Sequence, residues 1–379
     1  MEKEQKVSKK VKIITIHFGT NHGSVLQTYA LSGYLKSIGC DAKVIDYVPG
    51  RYRIWNILRG RKGSRYPLPV LLAYYPVVVL KCIRNRKKFE RFLKKNIDLT
   101  ERYSKNEELK KSPPEADVYI SGSDQVWNND YNGNSDFSYF LDFAPEQSRR
   151  VAYAASFGKE KFDEEYLEKI KPMLQAFGDI SVRESDAQKI LNELEIPSTH
   201  VVDPVFLRTR EQWKAFGNPV ENSKPYTLIY VMDGLYKELL DYAQKIKEQT
   251  GNDIFVVCFK KIKDNRIDKC FHLANPKDFV GLVSNADTVV TNSFHGTAFS
   301  VLFQKKFVTI GKEKYNSRMR SLLGKLSLEN HFVTTGANLD AKEVLLMSQR
   351  DDIESVDKVL QEWISDSQKF IQEALDFSK

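Results

Sequence analysis

Asp287-Thr288-Val289-Val290-Thr291-Asn292-Ser293-Phe294-His295-Gly296-Thr297-Ala298-Phe299-Ser300 is the stretch on which the reading of this chain turns. Its β-branched start has the composition of a buried strand. Asn292 and Ser293 then bring the side-chain acceptors that begin helices, and Thr297 to Phe303 continues as an apolar helical run. A strand passing straight into a helix leaves backbone N–H groups and the positive end of the helix dipole facing outward, a seat for phosphate or carboxylate. His295 falls in that turn. Its imidazole either caps the helix within the core or exchanges a proton with a bound group. Gly296 is expected to let a ligand approach the backbone closely.

Strand and helix patterns alternate on both sides of this stretch. Val11 to Ile16 reads as a strand, Ser24 to Ser37 as a helix ended by Gly39, and Ala42 to Tyr47 as a second strand. The turn between the first strand and helix, Phe18 to Gly23, lacks the GxGxxG spacing of dinucleotide sites. Ala116 to Ile120 is a strand followed by the small polar loop Ser121 to Asn128, at the strand end where open α/β sheets place ligands. Arg183 ends a further strand beside Glu184, either to clamp an anion or to pair with that acid. After a polar segment at 218–225 the alternation resumes from Tyr226. Chain length of 379 residues exceeds one compact core, so two domains are expected. Amphipathic helical pattern over 352–377 closes the chain and is expected to cross back to the first domain.

The four cysteines show neither CxxC nor CxxH spacing, which points to no disulfide framework or zinc site and suits a cytoplasmic protein. No signal peptide and no apolar run of membrane-spanning length is read in the sequence. The net charge of +8 is uneven: residues 51–95 hold 14 Lys/Arg against Glu90 alone, a local +13, leaving −5 for the remainder. Within this insertion the run 67–80 is too short and too proline-interrupted to span a bilayer. Its basic flanks suit either an anionic membrane face or a solvated helical surface. No nucleic-acid-binding motif accompanies the charge, and nucleic acid is not expected as a partner.

The blocks Asn21-His22-Gly23-Ser24-Val25-Leu26-Gln27-Thr28-Tyr29-Ala30-Leu31, Gly122-Ser123-Asp124-Gln125-Val126-Trp127-Asn128 and Tyr153-Ala154-Ala155-Ser156-Phe157-Gly158 occur in that order. Ser181-Val182-Arg183-Glu184, Asp203-Pro204-Val205-Phe206-Leu207 and Thr291 to Phe299 follow. Together they resemble the polysaccharide pyruvyl transferase family over nearly the whole chain, the basic insertion excepted. The resemblance implies two Rossmann-like α/β domains in a glycosyltransferase-B-like arrangement. It also implies transfer of the pyruvyl group of phosphoenolpyruvate onto two hydroxyls of a sugar, as a cyclic ketal, in bacterial surface polysaccharide synthesis.

On that resemblance, residues 1–220 are expected to bind the acceptor, 221–350 to bind phosphoenolpyruvate, and 351–379 to form the closing helical segment. His295 matches the family's histidine and is expected to be the general acid/base. Asn292, Ser293, Gly296 and Thr297 are expected to seat the donor at the helix start, with Arg183, Lys314, Arg318 and Arg320 as anion clamps. The family block often carries Arg where this chain has Ser293, a contact Arg318 or Arg320 is expected to supply. Asn21, His22, Gly23, Ser123, Asp124 and Gln125 are expected to face a sugar or lipid-linked oligosaccharide acceptor. Phosphoenolpyruvate is a co-substrate in this scheme; no cofactor or metal is required. A nucleotide-sugar glycosyltransferase and a non-catalytic polysaccharide-assembly protein are the alternatives.

Overall fold

The computed structural model describes residues 8–52, 68–133, 135–232, 234–259, 262–311, 316–349 and 353–376. By contact the chain divides into two compact units, residues 1–155 with 163–180, and residues 156–162 with 181–379. The sequence reading changes domain at 220. The contact division falls earlier because the helix at 185–193 packs on the helix at 317–325, and the one at 210–216 on the helix at 276–285.

The first half of the chain runs β1 Lys10–Ile14, α1 His22–Ser37, β2 Asp41–Tyr47, α2 Leu68–Asn96, β3 Leu99–Tyr103, α3 Asn106–Lys111 and β4 Val118–Ser121. It continues through α4 Asn129–Asn132, β5 Arg149–Ala155, α5 Glu164–Gln175, β6 Asp179–Val182, α6 Ser185–Glu193 and β7 Thr199–His200. The sheet order is β3-β2-β1-β4-β5-β6-β7. The pairings of β1 with β2 and β4 are parallel, so Val11 sits between Ala42 and Val118. Fully buried runs such as Val118–Ser121 are what strands covered on both faces require. Strand order turns back on itself between β1 and β4.

The second half holds α7 Arg210–Phe216, β8 Tyr226–Val231, α8 Tyr236–Thr250, β9 Asp253–Cys258, β10 Lys269–His272, α9 Pro276–Asn285, β11 Thr288–Thr291 and α10 Phe294–Leu302. Then come β12 Lys306–Gly311, α11 Ser317–Lys325, β13 Phe332–Thr334, α12 Ala341–Ser348 and α13 Ile353–Ala374. Its sheet, β10-β9-β8-β11-β12-β13, is also parallel. Ile229, Ile254, Val290 and Val308 from the strands pack with Leu239, Ile246 and Val344 from α8 and α12. The helices begin where the chain supplies caps: Asn275 with Asp278 before α9, and Asp340 with Glu343 before α12, each a reciprocal capping box. Helix α8 stops at Gly251, whose left-handed φ of 73° lets its N–H reach the Lys247 carbonyl at 2.8 Å.

Helix α13 docks on residues 200–207, which the sequence reading counts with the first domain and the contact division with the second unit. Ser367 Oγ accepts from Val202 N at 3.0 Å, and Trp363 Nε1 donates to the His200 carbonyl at 3.0 Å. Among the described residues no helix is long and apolar enough to cross a membrane.

Candidate functional site

The turn that opened the sequence reading folds as expected. β11 runs into α10 through Asn292 and Ser293, and Ser293 is the N-cap, its Oγ accepting from Gly296 N at 3.4 Å. Asn292 Oδ1 accepts from Met232 N at 3.0 Å, tying the turn to the end of β8. Thr297 Oγ1 reaches the Ser293 carbonyl at 3.1 Å and Thr309 Oγ1 at 2.8 Å. Thr297 is therefore a buried spacer between helix and sheet. Gly296 also answers a close approach within the chain: a Cβ there would lie 2.3 Å from Thr291 Oγ1, so the glycine admits the end of β11.

Within the second unit, four charged or titratable side chains from three separate stretches of the chain meet beside this turn. Arg183 follows β6, Glu184 caps α6, Asp203 precedes the short turn Pro204–Leu207, and His295 lies in the first turn of α10. Arg183 Nη1 donates to Asp203 Oδ2 at 2.7 Å, with both side chains fully buried. Asp203 Oδ1 accepts from Val205 N at 3.1 Å. His295 Nε2 stands 3.7 Å from Asp203 Oδ2, inside ion-pair range and outside hydrogen-bond range, with 6% of the side chain exposed. The ring is nearly enclosed, and its surroundings are charged.

Glu184 Oε1 accepts from Ser156 Oγ at 2.8 Å and Gly158 N at 3.0 Å. Burial raises its carboxyl above the ordinary glutamate value, against opposing pulls from Arg183, the two hydrogen bonds and Arg318. The Phe294 ring takes the Arg183 guanidinium carbon 4.7 Å from its centroid and that of Arg318 5.9 Å away. Behind them, His200 Nε2 lies 3.2 Å from the Arg183 carbonyl and 3.3 Å from Ser321 Oγ. Burial lowers the His200 value.

Of the expected donor clamps, Arg183 is fully buried and paired with Asp203. Arg318 is part-exposed and stays beside the cluster. Arg320 points elsewhere, its guanidinium 4.4 Å over the Phe332 ring. Lys314 lies outside the described residues. The sequence reading does not single out Asp203 or Glu184 as site residues. The available signal was an aspartate standing alone in the apolar run Val201–Leu207.

The acceptor candidates fall in the first unit, and most of them serve its architecture. Asn21 caps α1, accepting from Gly23 N at 2.9 Å. His22 is fully buried, its ring 5.2 Å from that of Phe89, and Gly23 is buried in the same first turn. Ser123 is buried, its carbonyl accepting from Thr15 Oγ1 at 2.7 Å. Asp124, in the left-handed region at φ 77°, accepts from Ser24 Oγ at 2.6 Å. Gln125 Oε1 accepts from Asn128 Nδ2 at 2.8 Å and keeps partial exposure.

Two Rossmann-like parallel sheets, with a charged cluster gathered at a strand-to-helix turn of the second, define an α/β protein of the class expected from the sequence. Its fold is similar to that of the UDP-GlcNAc 2-epimerase from Neisseria meningitidis bound to UDP-GlcNAc, with TM-score 0.51, 11% identity, and 97% of this chain and 99% of that chain covered. An MnaA–UDP complex from S. aureus is similar at TM-score 0.52 and 11% identity, over 95% of this chain and 91% of that one. At such identities the likeness is one of fold. No curated protein matches the sequence. The sequence model of the polysaccharide pyruvyl transferase family matches residues 21–312, and the chain belongs to that family.

Proposed function

We propose that this protein transfers the pyruvyl group of phosphoenolpyruvate to two hydroxyls of one sugar, forming a cyclic ketal and releasing phosphate. The observation that carries the reading is the placement of His295 at the head of α10, 3.7 Å from a carboxylate already neutralised by Arg183. In this scheme a proton goes to C3 of the donor, leaving a cationic C2 that the first hydroxyl attacks as it gives up its own proton. The second hydroxyl then displaces phosphate, and its proton leaves with that group. His295 is the group proposed to carry protons, since an imidazole both gives and takes them near neutral pH. Asp203 would set the position of the ring. Ser293 with the first-turn amides, and Arg318, would meet the donor's anionic groups.

The acceptor would be a sugar or lipid-linked oligosaccharide met at the cytoplasmic face of the membrane, with α2 providing basic surface. The test is mass spectrometry of candidate acceptors incubated with phosphoenolpyruvate, looking for the mass gain of a pyruvyl ketal together with phosphate release. A sugar nucleotide consumed in place of phosphoenolpyruvate would support the glycosyltransferase alternative.

A further inference from the structure

The first unit contains a charged cluster that the reaction scheme does not use. His17 lies just past β1, Asp46 near the end of β2 and Arg102 near the end of β3, at the carboxyl ends of three neighbouring parallel strands. Open α/β sheets bind ligands at those ends. His17 is buried, with Nδ1 3.0 Å from the Thr15 carbonyl and Nε2 3.2 Å from Asp46 Oδ1. The ring thus faces a carbonyl oxygen at one nitrogen and a carboxylate oxygen at the other. Arg102 Nε donates to Asp46 Oδ2 at 2.8 Å, yet half of its side chain remains exposed. Burial alone would raise the Asp46 carboxyl; hydrogen bonds from His17 and Arg102 outweigh it and hold the group below the usual carboxylate range.

Helix α2 closes the other wall with Arg86, Glu90 and Lys94. Arg86 Nη1 donates to the Tyr52 carbonyl at 2.9 Å, and its Nε lies 3.5 Å from Glu90 Oε1. Burial pushes the Arg86 guanidinium down; Glu90 opposes this and Arg102 adds to it. Four groups that can carry positive charge thus line a slot holding two carboxylates. The free volume inside is about 10 Å³, room for one water, so a ligand enters only by a small group at the mouth, where Arg102 and Lys94 reach solvent. A tetrahedral oxyanion suits cations arriving from a strand end and a helix, because its oxygens point in several directions.

We propose that the mouth of this slot, where Arg102 and Lys94 reach solvent with His17 and Arg86 behind them, is an anion subsite that binds a phosphate group of a phosphorylated sugar or of its carrier. Assignment of that phosphate to the sugar substrate rests on the proposed function; the anion site itself does not. Inorganic pyrophosphate titrated calorimetrically into the full chain is the probe, with uridine diphosphate and geranyl diphosphate as arms that separate a nucleotide carrier from a lipid one. Arg102→Gln is expected to weaken pyrophosphate binding at this site about tenfold or more, as loss of a charge-assisted contact does. Lys94→Gln, at an exposed position where folding is safe, is expected to weaken it in the same direction. His295→Ala, at the donor site, is expected to leave this binding event in place. Isotherms indistinguishable from wild type in both Arg102→Gln and Lys94→Gln would overturn the proposal. Binding at this site that survives in His295→Ala while pyruvyl transfer is never found would keep the site and remove only its link to the reaction.

Discussion

His295 Nε2 and Asp203 Oδ2 stand 3.7 Å apart, and that same oxygen accepts the Arg183 guanidinium at 2.7 Å. One carboxylate oxygen thus faces both the guanidinium and the imidazole, and its position fixes where the ring stands relative to the buried pair. His295→Ala should therefore lower pyruvyl transfer by about 100- to 10,000-fold, the usual cost of removing a positioned acid/base. Circular dichroism and the melting temperature should stay near wild type. A correctly folded variant with near-normal transfer would remove the histidine from the mechanism.

Asp203→Asn tests the pair from the other side. The amide keeps an acceptor for Val205 N but sets an N–H group or a neutral oxygen against a guanidinium that is fully buried. Breaking a buried pair by one partner costs about 3–5 kcal/mol because the remaining charge is uncompensated. Urea unfolding should show that loss, and replacing Arg183 by Met in the same chain should restore part of it. Equal midpoints for Asp203→Asn and wild type would mean that the pair is not what holds these strands' ends together.

Gly296→Ala separates helix propensity from packing. In an open helix the change would stabilise by about 0.5–1 kcal/mol. Here the new Cβ would sit 2.3 Å from Thr291 Oγ1 and 2.9 Å from Thr291 Cβ, so net destabilisation of about 1–3 kcal/mol is expected. Gly324→Ala, in helix α11 with nothing closer than Glu329 Oε1 at 3.5 Å, is the control and should be neutral or slightly stabilising. Thermal unfolding of the two variants side by side decides it, and a stable Gly296→Ala would refute the close approach.

What could be read from the chain depended on burial. Central strands such as Tyr226–Val231 and Val118–Ser121 are buried at every position, so they stand out as unbroken apolar runs. The edge strands β3, β10 and β13 have partly exposed residues, and Leu99-Thr-Glu-Arg-Tyr103 carries no such run; their strand character comes from pairing with a neighbour. The His295 turn was legible because cap and apolar helix adjoin in sequence. Asp203 and Glu184 were not, because they join His295 only when β6, the turn after β7, and α10 converge. For Arg183, the neighbouring acid in sequence was Glu184, 3.9 Å away, while its close partner is Asp203, twenty residues on.

Glu184 gives a pH signature. Burial raises its folded value above the ordinary glutamate value, so the protonated form is the one the fold favours. Its contribution to stability is fully present below that ordinary value and is lost as pH rises through the raised one. Glu184→Gln keeps an acceptor for Ser156 Oγ and Gly158 N but cannot ionise. The melting temperature of the variant relative to wild type should therefore climb between pH 4 and pH 8. A constant difference across that range would mean that the carboxyl titrates alike in folded and unfolded chains.

The basic surface of α2 can be tested without removing the helix. Deleting residues 51–95, the change the sequence alone suggests, would also remove Phe89, Phe92 and Leu93, all buried in the first unit. A lost fold and a lost membrane contact would then look the same. Arg84, Lys87 and Arg91 are exposed and fall three and four residues apart, on one face of the helix. Each basic residue near an anionic bilayer contributes about 1 kcal/mol, so changing all three to Gln should weaken binding to vesicles containing anionic lipid by about a hundredfold at low salt. The wild-type binding should itself fade as salt shortens the screening length. Vesicle flotation at two ionic strengths reads both effects. Binding by the triple variant equal to wild type would assign this face to solvent and leave the charge as a surface feature of the helix.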